Sequence, residues 1–198
     1  LEQIPVIQLF AYVEPVYDID GQDRKEIAAS VFSYFNIRYL ILHSDGGALR
    51  YNTLLEVAEA AAGENEPLLV QIPDRSFIVY QVAPPEEPLP FIGIGDGWSA
   101  PEVLSEDEVQ RRIQSAAEIF IYSAKPRDVV LKLQLYSTNA GQLNVMRDED
   151  EALVLDTEAG EQLLQVPLEV RAGKTRFLLR PDEMGDVIVR SVDLQVDD

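Results

Sequence analysis

Hydrophobic and polar positions alternate in two different ways along the chain, and the change falls near residue 90. Before that point, runs with the spacing of one helix face lie between short apolar runs typical of buried strands. After it, apolar residues recur at every second position in a series of short segments separated by turn residues. The pattern predicts an α+β chain, with a small α/β subdomain in residues 1–90 and an antiparallel β-sandwich of jelly-roll type in residues 91–198.

The N-terminal subdomain is predicted to run strand, helix, strand, helix and hairpin. The first helix begins near Arg24 with Asp20 or Asp23 as its N-cap, and the second runs from about Asn52 to Ala62. The predicted strands are apolar and rich in β-branched or aromatic side chains: Val6–Val13, Ile37–Leu42, Leu68–Ile72 and Phe77–Val82.

The C-terminal part is predicted to be almost entirely strands. One exception is a short helix at Glu106–Ser115, because Ser105 and Glu108 have the spacing of a capping box. The predicted strands share period-two alternation: Glu118–Tyr122, Val129–Tyr136, Leu143–Arg147, Ala152–Asp156, Gln162–Val166, Thr175–Leu179 and Val187–Val196.

Composition excludes several classes of function. The 35 acidic and 16 basic residues leave a formal net charge of −19, which repels nucleic acid and anionic membrane surfaces. There is no cysteine, so a disulfide, a thiol nucleophile and a zinc–thiolate site are excluded. No cofactor is predicted.

The chain opens at Leu1, with neither an initiator Met nor a basic signal region, and no apolar run approaches the roughly 18–20 residues of a spanning helix. We expect it to be a piece of a longer protein or a processed one.

Three aspartates are candidate metal ligands. Asp18, Asp20 and Asp23 place hard oxygens at the alternate spacing that suits Ca²⁺, although the glycine at Gly21 is not where an EF-hand has it. The other interpretation is a polar turn that caps the first helix.

The only tryptophan, Trp98, follows the glycines Gly93, Gly95 and Gly97. One interpretation is an indole turned inward as a plug, and the other is a ligand-binding platform on which a sugar stacks. A phosphate loop is not indicated, since neither a βαβ setting nor a Lys-Ser/Thr pair accompanies these glycines.

The only histidine, His43, ends the predicted central strand beside Ser44 and Asp45. Three neighbours in sequence do not converge as a nucleophilic triad does, so no catalytic residue is assigned. A small hydrolase that uses His43 with a carboxylate stays open as an alternative.

Three segments resemble a known family. Phe35–His43, Phe77–Val82 and Gly97–Glu102 are similar to segments in the C-terminal soluble regions of bacterial multi-spanning membrane proteins. Those proteins are glycosyltransferase-like and related to the dolichyl-phosphate-mannose mannosyltransferases. The resemblance implies a galactose-binding-like sandwich, and it places the family's catalytic acids in membrane loops that this chain does not contain.

The favoured prediction is therefore a non-catalytic accessory region on the extracytoplasmic face of a bacterial membrane. Its expected partner is the membrane-spanning part of its own parent chain. By this resemblance, the parent protein is a glycosyltransferase. The alternatives are a carbohydrate-binding module and the His43 hydrolase. Carbohydrate is a candidate partner, and nucleic acid is not.

Overall fold

A computed structural model of the chain describes residues 4–11, 18–43, 48–72, 75–105, 108–147, 152–182 and 185–196. These residues fall into two compact units. The first includes most of the chain up to Leu89, and the second includes residues 18–22 and the chain from Pro90 onward. In the described parts of the chain, no helix is both long enough and apolar enough to cross a membrane.

The first unit combines helices with a small antiparallel sheet. The helices are α1 (Pro5–Ala11), α2 (Arg24–Tyr34) and α3 (Ala48–Ala62). The strands are β1 (Tyr39–His43), β2 (Leu68–Ile72) and β3 (Arg75–Gln81), in the order β1-β3-β2. Helices α2 and α3, strand β1 and the β2–β3 hairpin lie where the pattern predicts them. Because every pairing among the described strands of this unit is antiparallel, these strands form an α+β arrangement and not the predicted α/β one.

The prediction of a strand at Val6–Val13 is wrong, since this segment begins with helix α1. A short apolar run has no periodicity that separates a buried strand from a buried helix. Pro5 is the first residue of α1, a position that suits proline because its missing N–H has no partner in the helix. The Phe10 ring then meets the Phe32 ring of α2 edge to face at 5.4 Å.

The second unit is a sandwich of two five-stranded antiparallel sheets, which confirms the predicted sandwich. Its strands are β4 (Phe91–Ile94), β5 (Glu102–Ser105), β6 (Glu108–Ile113), β7 (Ala117–Ser123), β8 (Arg127–Ser137), β9 (Gly141–Arg147), β10 (Ala152–Thr157), β11 (Gly160–Val170), β12 (Gly173–Asp182) and β13 (Val187–Val196). The first sheet has the order β10-β9-β12-β7-β4, and the second has the order β11-β8-β13-β6-β5.

Alternating side chains from both sheets fill the space between them. On β8, Val129, Leu131, Leu133 and Leu135 are each at most 1% exposed, while the residues between them are half-buried or exposed. They join inward-facing residues of β7, β12 and β13 in one continuous core. Burying this apolar surface stabilises the sandwich by roughly 25 cal/mol per Å².

The predicted helix at Glu106–Ser115 is also wrong, because residues 108–113 form strand β6. Val109 and Ile113 are buried on one face, and Arg111 lies between them where an apolar residue would continue the alternation. Its guanidinium is paired with Asp18: Nε lies 2.7 Å from Oδ1, and Nη2 donates to Oδ2 at 2.8 Å. The partner is 93 residues away, so the local sequence conceals the strand pattern.

Residues 18–22 are hydrogen-bonded into the sandwich. Gly21 N donates to the Val192 carbonyl at 2.8 Å, and Val192 N donates to the Ile19 carbonyl at 2.7 Å. The Gln22 side chain accepts from Ile92 N at 2.7 Å and donates to the Pro90 carbonyl at 3.1 Å. This segment therefore adds backbone pairing beside β13 and side-chain hydrogen bonds to β4.

Candidate functional site

A cleft of about 400 Å³ opens at one end of the sandwich. We call it the rim cleft and define it by its lining residues, which come from the ends of strands β8, β9 and β11 and the turns beside them: Pro126, Arg127, Asp128, Arg147, Glu169, Val170 and Arg171. Five of these seven residues carry a charged side chain, so both signs of charge are present around the cleft.

Two connections between the sheets form the walls of the rim cleft. Residues 124–126 lead from β7 in the first sheet to β8 in the second, and the Ser123 hydroxyl holds this turn by donating to the Lys125 carbonyl at 2.7 Å. Arg171 and Ala172 lead from β11 back to β12 in the first sheet. Gly173 then has φ of +101°, a conformation that glycine adopts without the strain of a Cβ. The short turn places Arg171 on the rim.

Arg147 spans the gap between the sheets. It is the last residue of β9 in the first sheet, and its Nη1 lies 3.5 Å from the Glu169 carbonyl oxygen on β11 of the second. Its side chain is half-buried, whereas Arg171 is exposed. Arg127 begins β8 directly opposite Val170, and its Nε is buried. The three arginines that line the cleft thus come from three different strands or turns.

Two carboxylates lie beside these arginines. Asp128 and Glu169 are directly paired across β8 and β11, and both are exposed. Like charges that face each other across a strand pair repel and destabilise it. Three arginines line the same cleft. They provide donors only, while the carboxylates provide acceptors, so the cleft can hydrogen-bond a ligand in both senses.

None of these arginines was a candidate from the sequence, although a signal was present. Consecutive antiparallel strands reverse direction at every turn, so the start of β8 and the ends of β9 and β11 lie at the same end of a sandwich. Arg127, Arg147 and Arg171 occupy those three positions. In a chain with only 16 basic residues, their shared location was a usable indication of a site.

Trp98 lies in the sandwich core, and 8% of its surface is exposed. Its indole Nε1 donates to the Glu118 carbonyl at 2.9 Å. The preceding Gly97 has φ of +86°, and a Cβ there would lie 1.8 Å from the Ala116 carbonyl oxygen. The indole consequently has no open face for a sugar, which corrects its candidacy as a stacking platform.

The three candidate calcium ligands have separate structural partners. Asp18 pairs with Arg111, Asp20 Oδ1 accepts from Gln22 N at 3.2 Å, and Asp23 Oδ1 accepts from Lys25 N at 2.8 Å as the N-cap of α2. Within the described ranges, no group of three or more His, Cys, Asp or Glu side chains could hold a metal ion.

His43 ends β1, as predicted, but among the described strands β1 lies at an edge of its sheet and not at the predicted centre. The His43 ring meets the Phe77 ring edge to face at 4.9 Å. The neighbours Ser44 and Asp45 lie outside the described residues. Gly93 is part of strand β4, and a Cβ on Gly95 would lie 2.7 Å from both Glu118 and Phe120 side-chain atoms. The glycine run therefore allows close packing against β7.

Neither a protein-family model nor a curated protein sequence matches this chain.

Similar solved structures are carbohydrate-binding modules. A family 35 module from Clostridium thermocellum has a TM-score of 0.42 and 4% identity, over 53% of this chain and 92% of that chain. The module CBM6cm-2 of Cellvibrio mixtus lichenase 5A, in complex with cellotriose, has a TM-score of 0.40 and 9% identity, over 52% and 89%. The C-terminal CBM6 of a Zobellia galactanivorans laminarinase has a TM-score of 0.39 and 12% identity, over 50% and 89%.

Proposed function

We propose that the sandwich unit is a non-catalytic binding module that holds a carbohydrate in the rim cleft. The cleft volume of about 400 Å³ lies within the usual range of small-ligand sites, roughly 300–1,000 Å³. The cleft is built on strand ends and short turns, which position side chains more accurately than long loops do.

One observation carries the proposal: the same small cleft is lined by groups that can only donate and groups that can only accept. Arg147 and Arg171 donate, and Asp128 and Glu169 accept. A simple anion would satisfy the arginines and be repelled by the carboxylates. Sugar hydroxyls both donate and accept, so a polyhydroxylated ligand can satisfy both sets at once.

The test is affinity electrophoresis of the full chain through gels that contain soluble polysaccharides, both neutral and acidic. We expect at least one polysaccharide to retard the wild type without any change in polysaccharide length. The double variant Arg147→Gln/Arg171→Gln should migrate freely. Arg38→Gln/Arg180→Gln is the matched control, because both arginines are exposed, neither lines the cleft, and the pair removes the same two charges.

Two results would overturn the binding module. One is free migration of the wild type through every polysaccharide. The other is cleavage of a glycoside or ester substrate that disappears in His43→Ala while the melting temperature is unchanged, which would establish the hydrolase.

We also propose, from the sequence resemblance alone, that the chain belongs to the extracytoplasmic face of a membrane-embedded glycosyltransferase-like protein. The segments behind that resemblance include Phe35–His43, which ends in β1, and Gly97–Glu102, which contains the buried Trp98. The gene's upstream reading frame tests it. About a dozen hydrophobic spans there would support this context, and a soluble or absent upstream region would overturn it.

A further inference from the structure

We propose that strand β1 pairs with β1 of a second copy of this chain, antiparallel and with Ile41 at the centre of the pair. The three-stranded sheets of the two copies then join edge to edge into one sheet. This pairing belongs to the first unit, and it does not depend on carbohydrate binding in the rim cleft.

Strand β1 has backbone hydrogen-bonding groups on a free side. Among the described strands it pairs only with β3. Val82 N donates to the Arg38 carbonyl at 2.9 Å, and hydrogen-bonded pairs occur at every second residue of an antiparallel ladder. The even-numbered residues of β1 therefore bond to β3, and the N–H and C=O groups of Tyr39 and Ile41 point away from it. The described residues supply no backbone partner for these groups.

Strand β1 also lacks the features that keep exposed edges from pairing, which are charged side chains, prolines and bulges. Its sequence is Tyr-Leu-Ile-Leu-His, and its register against β3 is unbroken. Other edges of the described sheets differ. Strand β11 contains Pro167 and two glutamates, and β5 meets β6 through an irregular register. In a chain with 26% charged residues, an edge strand without Asp, Glu, Lys or Arg indicates a pairing surface.

The side chains beside this edge are apolar and exposed. Tyr39 is 58% exposed and Ile41 is 65% exposed. Leu68 of β2 lies in the same row as Ile41, on the other side of Val79 of β3, and is 64% exposed. A second β1 on the free side would cover Tyr39 and Ile41 in part and leave Leu68 open. The two ends of this row therefore differ in what the pairing predicts for them.

The sequence of β1 matches its own reverse, which favours a second copy as the occupant. With Ile41 opposite Ile41 of the second copy, Leu40 lies opposite Leu42 and Tyr39 opposite His43. Apolar or aromatic side chains meet at each position, and no acidic pair or basic pair of Lys or Arg is brought together. This register uses the odd-numbered residues of both strands, whose backbone groups β3 does not bond. The contact is isologous, so it closes as a dimer.

The dimer should be weak. Five paired residues extend only about 17 Å, so the contact buries less than the roughly 800 Å² that each partner contributes to a standard interface. Each copy also has a formal net charge of −19, so the copies repel at long range. We expect a dissociation constant of about 10 μM to 1 mM. Association should tighten with salt, because the Debye length falls from about 8 Å at 0.15 M to about 3 Å at 1 M.

The first test is analytical ultracentrifugation of the full chain over about 10 μM to 1 mM, in about 0.15 M and 1 M NaCl. The average mass of the wild type should rise from 22.2 kDa toward twice that value, and at lower protein concentration in the higher salt. Ile41→Lys places two like charges opposite each other at the centre of the pair, so it should stay monomeric. Leu68→Lys adds the same charge at the other end of the row and should dimerise like the wild type.

Two results would contradict the pairing. A wild type that stays at the monomer mass over the whole range excludes a second copy as the occupant. Loss of association in Leu68→Lys as well as in Ile41→Lys would show that the face of the sheet, and not the β1 edge, makes the contact.

The absence of cysteine permits a second test, which decides the matter even where Ile41→Lys loses stability. The Cα atoms of a hydrogen-bonded pair lie about 5.5 Å apart, within the roughly 4.4–6.8 Å that a disulfide spans. Under mild oxidation, Ile41→Cys should therefore form a disulfide-linked dimer.

Tyr39→Cys and Leu68→Cys are the controls, because all three positions are similarly exposed. In the proposed register, Tyr39 lies four residues, or about 13 Å, from Tyr39 of the second copy. Leu68 lies on the opposite edge strand. We expect Ile41→Cys to cross-link about 10-fold or more faster than either control. Equal rates at Ile41 and at one of the controls would overturn the pairing.

Discussion

At the scale of single residues, the most consequential contact is the ion pair between Asp18 and Arg111. The Asp18 side chain is 3% exposed and that of Arg111 is 17% exposed. Removing one partner leaves a charge that water reaches poorly. We expect Asp18→Asn to lower the free energy of unfolding by about 3 kcal/mol, measured by urea denaturation near neutral pH.

The exposed pair Lys25–Glu56 is the matched control, because both of its side chains are more than half exposed. Glu56→Gln should leave the urea midpoint almost unchanged. The double variant Asp18→Asn/Arg111→Met removes the buried charge together with its partner, so it should recover most of the lost stability. If Asp18→Asn behaves like Glu56→Gln, then residues 18–22 are held by their backbone bonds and the Gln22 side chain, without a contribution from the ion pair.

Tyr80 gives the first unit a dependence on alkaline pH. Burial raises the pKa of its phenol above the ordinary value of 10.0, and the nearby charge of Glu59 and the Tyr51 phenol raise it further. The fold thus favours the neutral phenol. Its contribution is fully present below pH 10 and is lost as the pH rises from there through the pKa of the folded state.

We therefore expect the wild type to lose more stability than Tyr80→Phe between about pH 9 and pH 11, when both are unfolded with urea at each pH. Every other ionisable group is the same in both chains, so the difference between the two curves isolates Tyr80. Parallel curves would show that the phenol releases its proton as readily in the fold as in the unfolded chain.

At the scale of elements, period-two alternation was sufficient to predict the seven strands from β7 to β13, whereas β4, β5 and β6 were not predicted as strands. The prediction was wrong for two further features: strand β6, whose pattern depends on a residue far away in the sequence, and helix α1, whose residues show no clear period. Strand β6 places a charged residue on its inward face, and the compensating Asp18 is far away in sequence. Helix α1 is too short and too apolar for its period to show. The arginines of the rim cleft were not recognised because turns bring them together, and turns do not appear in a hydrophobic pattern.

The turn before Trp98 is an element whose geometry can be tested directly. Ala at Gly97 would bring both a strained φ of +86° and a Cβ 1.8 Å from the Ala116 carbonyl oxygen. Gly173 has φ of +101° with no atom within 4 Å of the added Cβ, so Gly173→Ala adds strain alone. We expect Gly173→Ala to cost about 1–2 kcal/mol and Gly97→Ala at least about 3 kcal/mol, with a red shift of the Trp98 fluorescence.

Equal losses in the two variants would mean that the β6–β7 connection moves aside and that the close approach at Gly97 does not fix the indole. A larger loss at Gly97 shows that the glycine is required for packing as well as for its backbone angle.

At the scale of the whole molecule, charge opposes the fold. Acidic residues outnumber Lys and Arg by 35 to 16, so the chain has a formal net charge of −19. Like charges brought together by folding repel one another, and the unfolded chain relieves that repulsion by expanding. Ion pairs such as Arg176–Glu118, with Nε to Oε1 at 2.9 Å, act in the opposite direction. Salt weakens both effects, so the sign of its effect on stability shows which one is larger.

We expect repulsion to be larger. The Debye length falls from about 30 Å at 0.01 M salt to about 8 Å at 0.15 M, so screening removes the many long-range repulsions before it affects pairs in contact. The melting temperature should therefore rise over this range of NaCl, by roughly 2–4 °C for each 1 kcal/mol of repulsion removed. The control is the same titration near the sequence pI of about 4.3, where the net charge vanishes and the rise should vanish with it. A melting temperature that falls with salt near neutral pH would show that the ion pairs outweigh the net repulsion, and that the acidic surface costs the fold little.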